Sequence, residues 1–267
     1  MTNQVSGPSA ESRKWFTVFS LRSMTALHVS SNAAIQLTET ERHTITRSIQ
    51  QFQLGEGSRG QRLLKRGQKY GRSVDDPLFA GALELFIKEE QQHSRYLAAF
   101  MQSQSIPVAK KHWVDSAFRK LRGLAGLELE LTVLVTAEFI AVPYYRALRS
   151  ATGSSTLKMI CTRCLEDEAN HLKFQASMLA RVAAARPAAI QRALSEAHRL
   201  FLTGTIFVVW IEHRTVLEAG GYTFRRFNEE TLREFSDWKA ARSAWAKQAA
   251  AAQKPACKNL GHAGPEI

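Results

Sequence analysis

Four stretches of this chain share one anomaly: an apolar stripe with helical spacing is broken near its middle by glutamate. The stripes read Ile45, Ile49, Phe52, Glu56, Leu63, Tyr70; then Leu83, Phe86, Glu90, His93, Leu97, Met101; then Leu127, Leu131, Leu134, Glu138, Ala141, Tyr145, Leu148; and Leu157, Cys161, Cys164, Glu168, His171, Met178, Val182. Steps of three and four place each set on one helical face, so the glutamates point where the apolar residues point, into a core. In two stretches the glutamate opens a Glu-x-x-His, which sets a carboxylate and an imidazole side by side. Glu56 and Glu138 lie about 15 and 11 residues before their helices end, and Glu90 and Glu168 each about 13 after theirs begin; at about 1.5 Å per residue all four meet at one height.

Four carboxylates crowded in a dry interior repel one another and must either take up protons or bind cations. Two divalent ions would offset the four negative charges. Mixed carboxylate and imidazole ligation suits iron or manganese, whereas zinc sites usually carry fewer carboxylates.

The rest of the sequence predicts an all-α chain. Thr38-Glu39-Thr40-Glu41 reads as a capping box opening a helix over 38–71. Asp75-Asp76-Pro77 opens a second, with proline in the first turn, which fades near Gln104 before Ile106-Pro107. A short helical piece lies within 108–126, a third long helix over 127–149, a fourth from the Thr152–Ser155 turn to Pro187, and a fifth over 188–219 ending at Gly220-Gly221. The tail from Tyr222 reads as one more helix, favoured by the Ala-rich 237–253, and 257–267 reads as frayed. Two joints of about five residues make antiparallel hairpins, and about 20 residues between the second and third helices suffice to return along the bundle. The pattern therefore predicts a four-helix bundle with one long crossover over 38–186, preceded by an arm, 1–37, and followed by a packing helix or lid, 187–236, and a C-terminal helix and tail, 237–267.

Composition removes other classes. An apolar share of 45% argues against disorder, and three cysteines cannot staple 267 residues. Residues 1–10 are polar and lack the apolar run of a secretory signal, and the longest uninterrupted apolar run, 206–211, is far short of a bilayer span. The expectation is a cytoplasmic protein with no signal peptide and no transmembrane helix.

The order Glu, Glu-x-x-His, Glu, Glu-x-x-His resembles the ferritin-like di-iron carboxylate superfamily, nearest to uncharacterised bacterial single-domain ferritin-like proteins. The segments SIQQFQLGEGSRG, FIKEEQQHSRYL, VLVTAEFIA and LEDEANHLKFQ carry the likeness. It implies two iron ions, or manganese, held by Glu56, Glu90, His93, Glu138, Glu168 and His171. Glu90 and Glu168 would bridge, Glu56 and Glu138 would bind terminally, and each histidine would cap one ion. It further implies that Asp167 bonds His93 and Glu89 bonds His171 on the side away from the metal. The activity implied is an O₂-activating oxidoreductase of hydroxylase, desaturase or oxygenase type, in which the four glutamates serve catalysis and a separate protein donates electrons. The alternative is an iron-handling ferroxidase or a peroxide-reducing rubrerythrin-like protein. A built-in rubredoxin is excluded, because the chain has a single CxxC, Cys161 and Cys164, on a helix.

Other features are less directive. Cys161 and Cys164 read as buried thiols, and Tyr70 and Tyr145 as core. Pro143 must disturb its helix, either kinking it or opening a pocket. Gly55 and Gly57 flank Glu56 at a helix-propensity cost of about 1 kcal/mol each, for close packing or for access. His213, beside Glu212, reads as part of a lid. The net charge of +12 includes an acid-free run, Arg59, Arg62, Lys65, Arg66, Lys69 and Arg72, which is a solvated face or a docking patch. An acidic partner such as a ferredoxin, an acyl carrier, anionic lipid or RNA would fit Arg59, Arg62, Arg66 and Lys69.

Overall fold

Local signals set most helix ends. Thr38 caps the N-terminus of α2 (Glu39–Glu56): its hydroxyl accepts from the Glu41 N–H, while the Glu41 carboxylate accepts from the Thr38 N–H. Pro77 starts α4 (Pro77–Ser103) where no helical donor is needed. Ser154 caps α7 (Ser155–Val182) through the Leu157 N–H. The computed structural model describes residues 9–31, 34–123 and 126–253. Among these all regular structure is helical. The remaining helices are α1 (Ala10–Ser23), α3 (Gln61–Ser73), α5 (Trp113–Gly123), α6 (Leu127–Ser150), α8 (Ala188–Ala219) and α9 (Phe224–Gln253).

Three expectations need correction. The helix over 38–71 is two helices, because the chain breaks between α2 and α3 directly after Glu56. Gly60 has φ +60°, and a Cβ there would lie 2.8 Å from Ile87, so the left-handed turn and the close approach both require glycine. The arm packs on the bundle as expected, but its residues 10–23 form a helix, α1, which lies on α4 and buries Trp15 and Phe19. The division at 236/237 falls inside α9, which begins at Phe224, close to the expected start at Tyr222, with the Thr223 hydroxyl accepting from the Arg226 N–H and Arg225–Glu229 and Arg226–Glu230 pairs along its first turns. Residues 257–267 lie outside the described residues.

One apolar core runs from Trp15 in α1 to Trp238 in α9. The helix α7 packs on α4, α6 and α9, while α6 also meets α8. Among the described residues α8 is long and apolar enough to cross a membrane by length and composition, which an uninterrupted-run count overlooks. Part of that apolarity is core: Leu202, Ile206, Val209, Val216 and Leu217 are buried. Pro143 sits inside α6 and leaves the Phe139 carbonyl without its helical donor.

α8 also buries two neutral histidines. His213 Nδ1 meets Ser48 Oγ at 2.8 Å, and burial presses its pKa down to about 3. His198 Nε2 meets Thr136 Oγ1 at 2.9 Å; burial, then Arg242 and Lys239, press it down to about 4. Unfolded imidazoles titrate near 6.5, so the unfolded chain takes up protons that the folded one refuses. This stability is complete above pH 6.5 and is lost as pH falls toward 4, by about 2 kcal/mol per histidine at pH 5. We predict that a His198→Asn/His213→Asn variant flattens the decline in denaturant stability between pH 6.5 and 5; a decline parallel to wild type would show that these rings are not buried neutral.

Candidate metal centre

Helical spacing builds the centre. On α4, Glu90 and His93 occupy adjacent turns of one face, as do Glu168 and His171 on α7; α6 adds Glu138, and Glu56 is the last residue of α2. His93, Glu138, Glu168 and His171 are buried. One ligand atom each of Glu90, Glu138, Glu168 and His171 lies within 4.8 Å of the others, and the same holds for Glu56, His93 and Glu168. Glu168 belongs to both groups. His171 Nδ1 stands 2.8 Å from Glu90 Oε1 and 3.3 Å from Glu168 Oε2, and the two imidazole centroids are 5.5 Å apart.

The far sides of both rings are engaged. His93 Nε2 meets Asp167 Oδ2 at 3.0 Å, and His171 Nε2 meets Glu89 Oε2 at 3.0 Å. Asp167 also accepts from Arg163 Nε at 2.8 Å and from Arg22 of α1; burial pushes its pKa up, but His93, then Arg163 and His171, outweigh that and hold it at about 2. With Nε2–H donated to Asp167, the lone pair of His93 Nδ1 turns inward. It faces Glu168 Oε1 at 3.6 Å, too far for a hydrogen bond.

These inward atoms show what the pocket fits. Buried His93 Nδ1, Glu168 Oε1 and Glu90 Oε1 have no hydrogen-bond partner; the close approach of Glu90 Oε1 to His171 lacks hydrogen-bond geometry. Three unsatisfied buried acceptors in one cluster are costly unless cations lie among them. Without a cation, protons take its place. Burial, then the charge of Glu90, pushes Glu56 up to about 8, and burial with Glu138 raises Glu168. Burial disfavours charged imidazole, yet both histidines are raised: His93 by Asp167, Glu56 and Glu90, His171 by Glu90, Glu168 and Glu89. The cluster of buried glutamates and histidines can hold metal ions.

Several partners were not legible in the sequence. Gln175 donates to Glu138 Oε1 at 2.7 Å, one turn beyond His171 on the same stripe of α7. Arg163 lies four residues before Asp167. Arg22 had no local signal, because α1 comes from the least patterned part of the chain. Tyr145, read as core, is fully buried and also donates to Glu56 Oε1 at 2.8 Å. Cys161 and Cys164 are buried free thiols. Burial, then Glu56, raises Cys164. His213 stays outside both ligand groups. Arg62 and Arg66 pair with Glu130, and Arg66 also donates to the Arg122 carbonyl at 3.0 Å; Arg59 and Lys69 are exposed.

A cavity of about 170 Å³ adjoins the centre, with Glu56, Glu90 and Glu138 in its wall. The rest of the wall is mainly apolar, including Phe52, Phe86, Leu134, Ile140 and Val209. Val114, Asp115, Phe118 and Arg122 of α5 cover another side. No family model, curated protein or solved structure matches this chain.

A buried carboxyl with a raised pKa gives stability that is present below the unfolded value near 4.5 and lost as pH rises. Glu168→Gln should therefore stabilise the metal-free protein at pH 7 by about 1–3 kcal/mol, with little gain at pH 4.5. The same variant should lose most of the melting-temperature rise that Mn(II) or Fe(II) gives wild type. A variant destabilised at pH 7, or still raised by metal as wild type is, would contradict the assignment.

Proposed function

We propose that this chain is a ferritin-like di-iron carboxylate protein, a four-helix bundle of α2 with α3, α4, α6 and α7, acting as an O₂-activating oxidoreductase on an organic substrate. The observation that carries this reading is the pairing of two Glu/His donor groups, joined through Glu168, with an apolar cavity walled partly by the same glutamates. Storage or transit of iron needs a polar path, whereas an apolar chamber suits a carbon substrate and keeps water from the reacting atoms.

Glu56 and His93 would hold one ion and Glu138 and His171 the other, with Glu90 and Glu168 between them. Bound iron supplies electron transfer to O₂. The protein's part is positional. Asp167 and Glu89 fix the ring orientation of His93 and His171, while Tyr145 and Gln175 each hold one oxygen of Glu56 and Glu138. Phe19 and Phe86 lie against His171, with Phe174 packed on both, and keep that side dry. The reductant is a separate protein, and the exposed Arg59 and Lys69 offer an acidic donor a docking face.

Anaerobic protein loaded with Fe(II) should bind two ions per chain and then consume O₂ without further iron uptake. Many irons oxidised per chain would favour the ferroxidase reading, and failure to bind iron would remove both. Asp167→Asn keeps the shape but loses the charge on His93, and should weaken metal affinity by about 10–100-fold, read by competition with a chelator. Unchanged affinity would show that Asp167 only braces α1.

A further inference from the structure

The crossover helix α5 lies over the cavity with one face inward: Val114, Asp115, Phe118 and Arg122 line the chamber, while none of its residues is fully buried. It is fastened at both ends. Trp113 Nε1 donates to Glu212 of α8 at 3.0 Å, and the carbonyls of Arg119, Arg122 and Gly123 accept from Arg62 and Arg66 of α3.

The charges here do not balance. Arg62, Arg66, Arg119 and Arg122 share two carboxylates, Glu130 and Asp115. Arg62 and Arg66 take Glu130. Arg119 Nε takes both oxygens of Asp115, at 2.8 and 2.7 Å, so the one acid that α5 presents to the cavity is already neutralised. Arg122 is left over. Among the described residues no carboxylate lies within ion-pair distance of it, and its guanidinium has a single long hydrogen bond, 3.4 Å, to Ser58 Oγ. A half-buried, always charged guanidinium on a cavity wall, with most of its five donors free of protein partners, can receive an anion. Glu56, Glu90 and Glu138 stand elsewhere on the same wall.

We propose that Arg122 anchors the acidic head of a small amphipathic carboxylate whose apolar body fills this cavity. The ligand is thereby oriented, with its carboxylate at Arg122 and its uncharged carbons left to face the glutamates. The size agrees, since an apolar cavity of about 150 Å³ takes a benzene ring, so an aryl or short alkyl body fits. The inference deepens the proposed function by naming the substrate class, and rests on that reading only for the fate of the ligand, not for its binding.

The test is calorimetric titration of the full chain, metal-free and Mn(II)-loaded, with 4-phenylbutyrate and with 4-phenylbutan-1-ol, which has the same body without the charge. Wild type should bind the acid at least tenfold more tightly than the alcohol, a margin that shrinks as salt is raised. Arg122→Gln should lose that tenfold margin while binding the alcohol as wild type does. Equal affinity of wild type for acid and alcohol, binding of neither, or undiminished acid binding by Arg122→Gln would each overturn the proposal. The wild-type comparison stands whether or not the variant folds. Arg122-dependent binding in a protein that takes up no metal would sink the metal reading alone; normal metal uptake with Arg122-independent binding would sink this inference alone.

Discussion

Four glutamate side chains share a water-poor interior at ligand-to-ligand spacing, and much of the molecule can be understood as what makes that tolerable. Carboxylates at this separation cannot all be ionised without countercharge. The metal-free protein answers with protons, on Glu56, on Glu168 and on the two imidazoles. Divalent cations would answer better, because they also satisfy His93 Nδ1, Glu168 Oε1 and Glu90 Oε1, which protein atoms leave without hydrogen bonds.

The surroundings hold that unstable set in place. Asp167 ties His93 to Arg163 of its own helix and to Arg22 of α1, so the N-terminal helix is part of the centre's support. Glu89 does the same for His171. On the other side Tyr145 and Gln175 orient Glu56 and Glu138, and the break after Glu56 lets the chain turn away before α3 resumes the wall. α5 and α8 then wall the adjoining chamber, joined to each other through Trp113 and Glu212. Buried polar networks of this kind are stable only when complete.

Much of this was legible in the sequence, where a strong period coincided with an unlikely residue. Glutamate recurring on apolar stripes predicted which faces turn inward, and the capping box and Pro77 marked two starts within a residue. What escaped the sequence depended on contacts between distant segments. In the break between α2 and α3 the left-handed Gly60 packs against Ile87, and nothing near Gly60 announces Ile87. Arg22 lies 145 residues from Asp167. The acid-free run beside Glu56 read as a solvated face or a docking patch, but half-buried Arg66 and exposed Arg62 both reach α5 and Glu130, because their partners arrive from the crossover. Tyr145 looked like packing since a stripe cannot reveal where a hydroxyl points.

The central claim is that cations belong between these side chains. Anomalous diffraction from crystals grown with Mn(II) tests it most directly. Two peaks should appear about 3.5–4 Å apart, one beside His93 and one beside His171, with Glu168 reaching both. Peaks confined to the surface, or an interior without any, would contradict it.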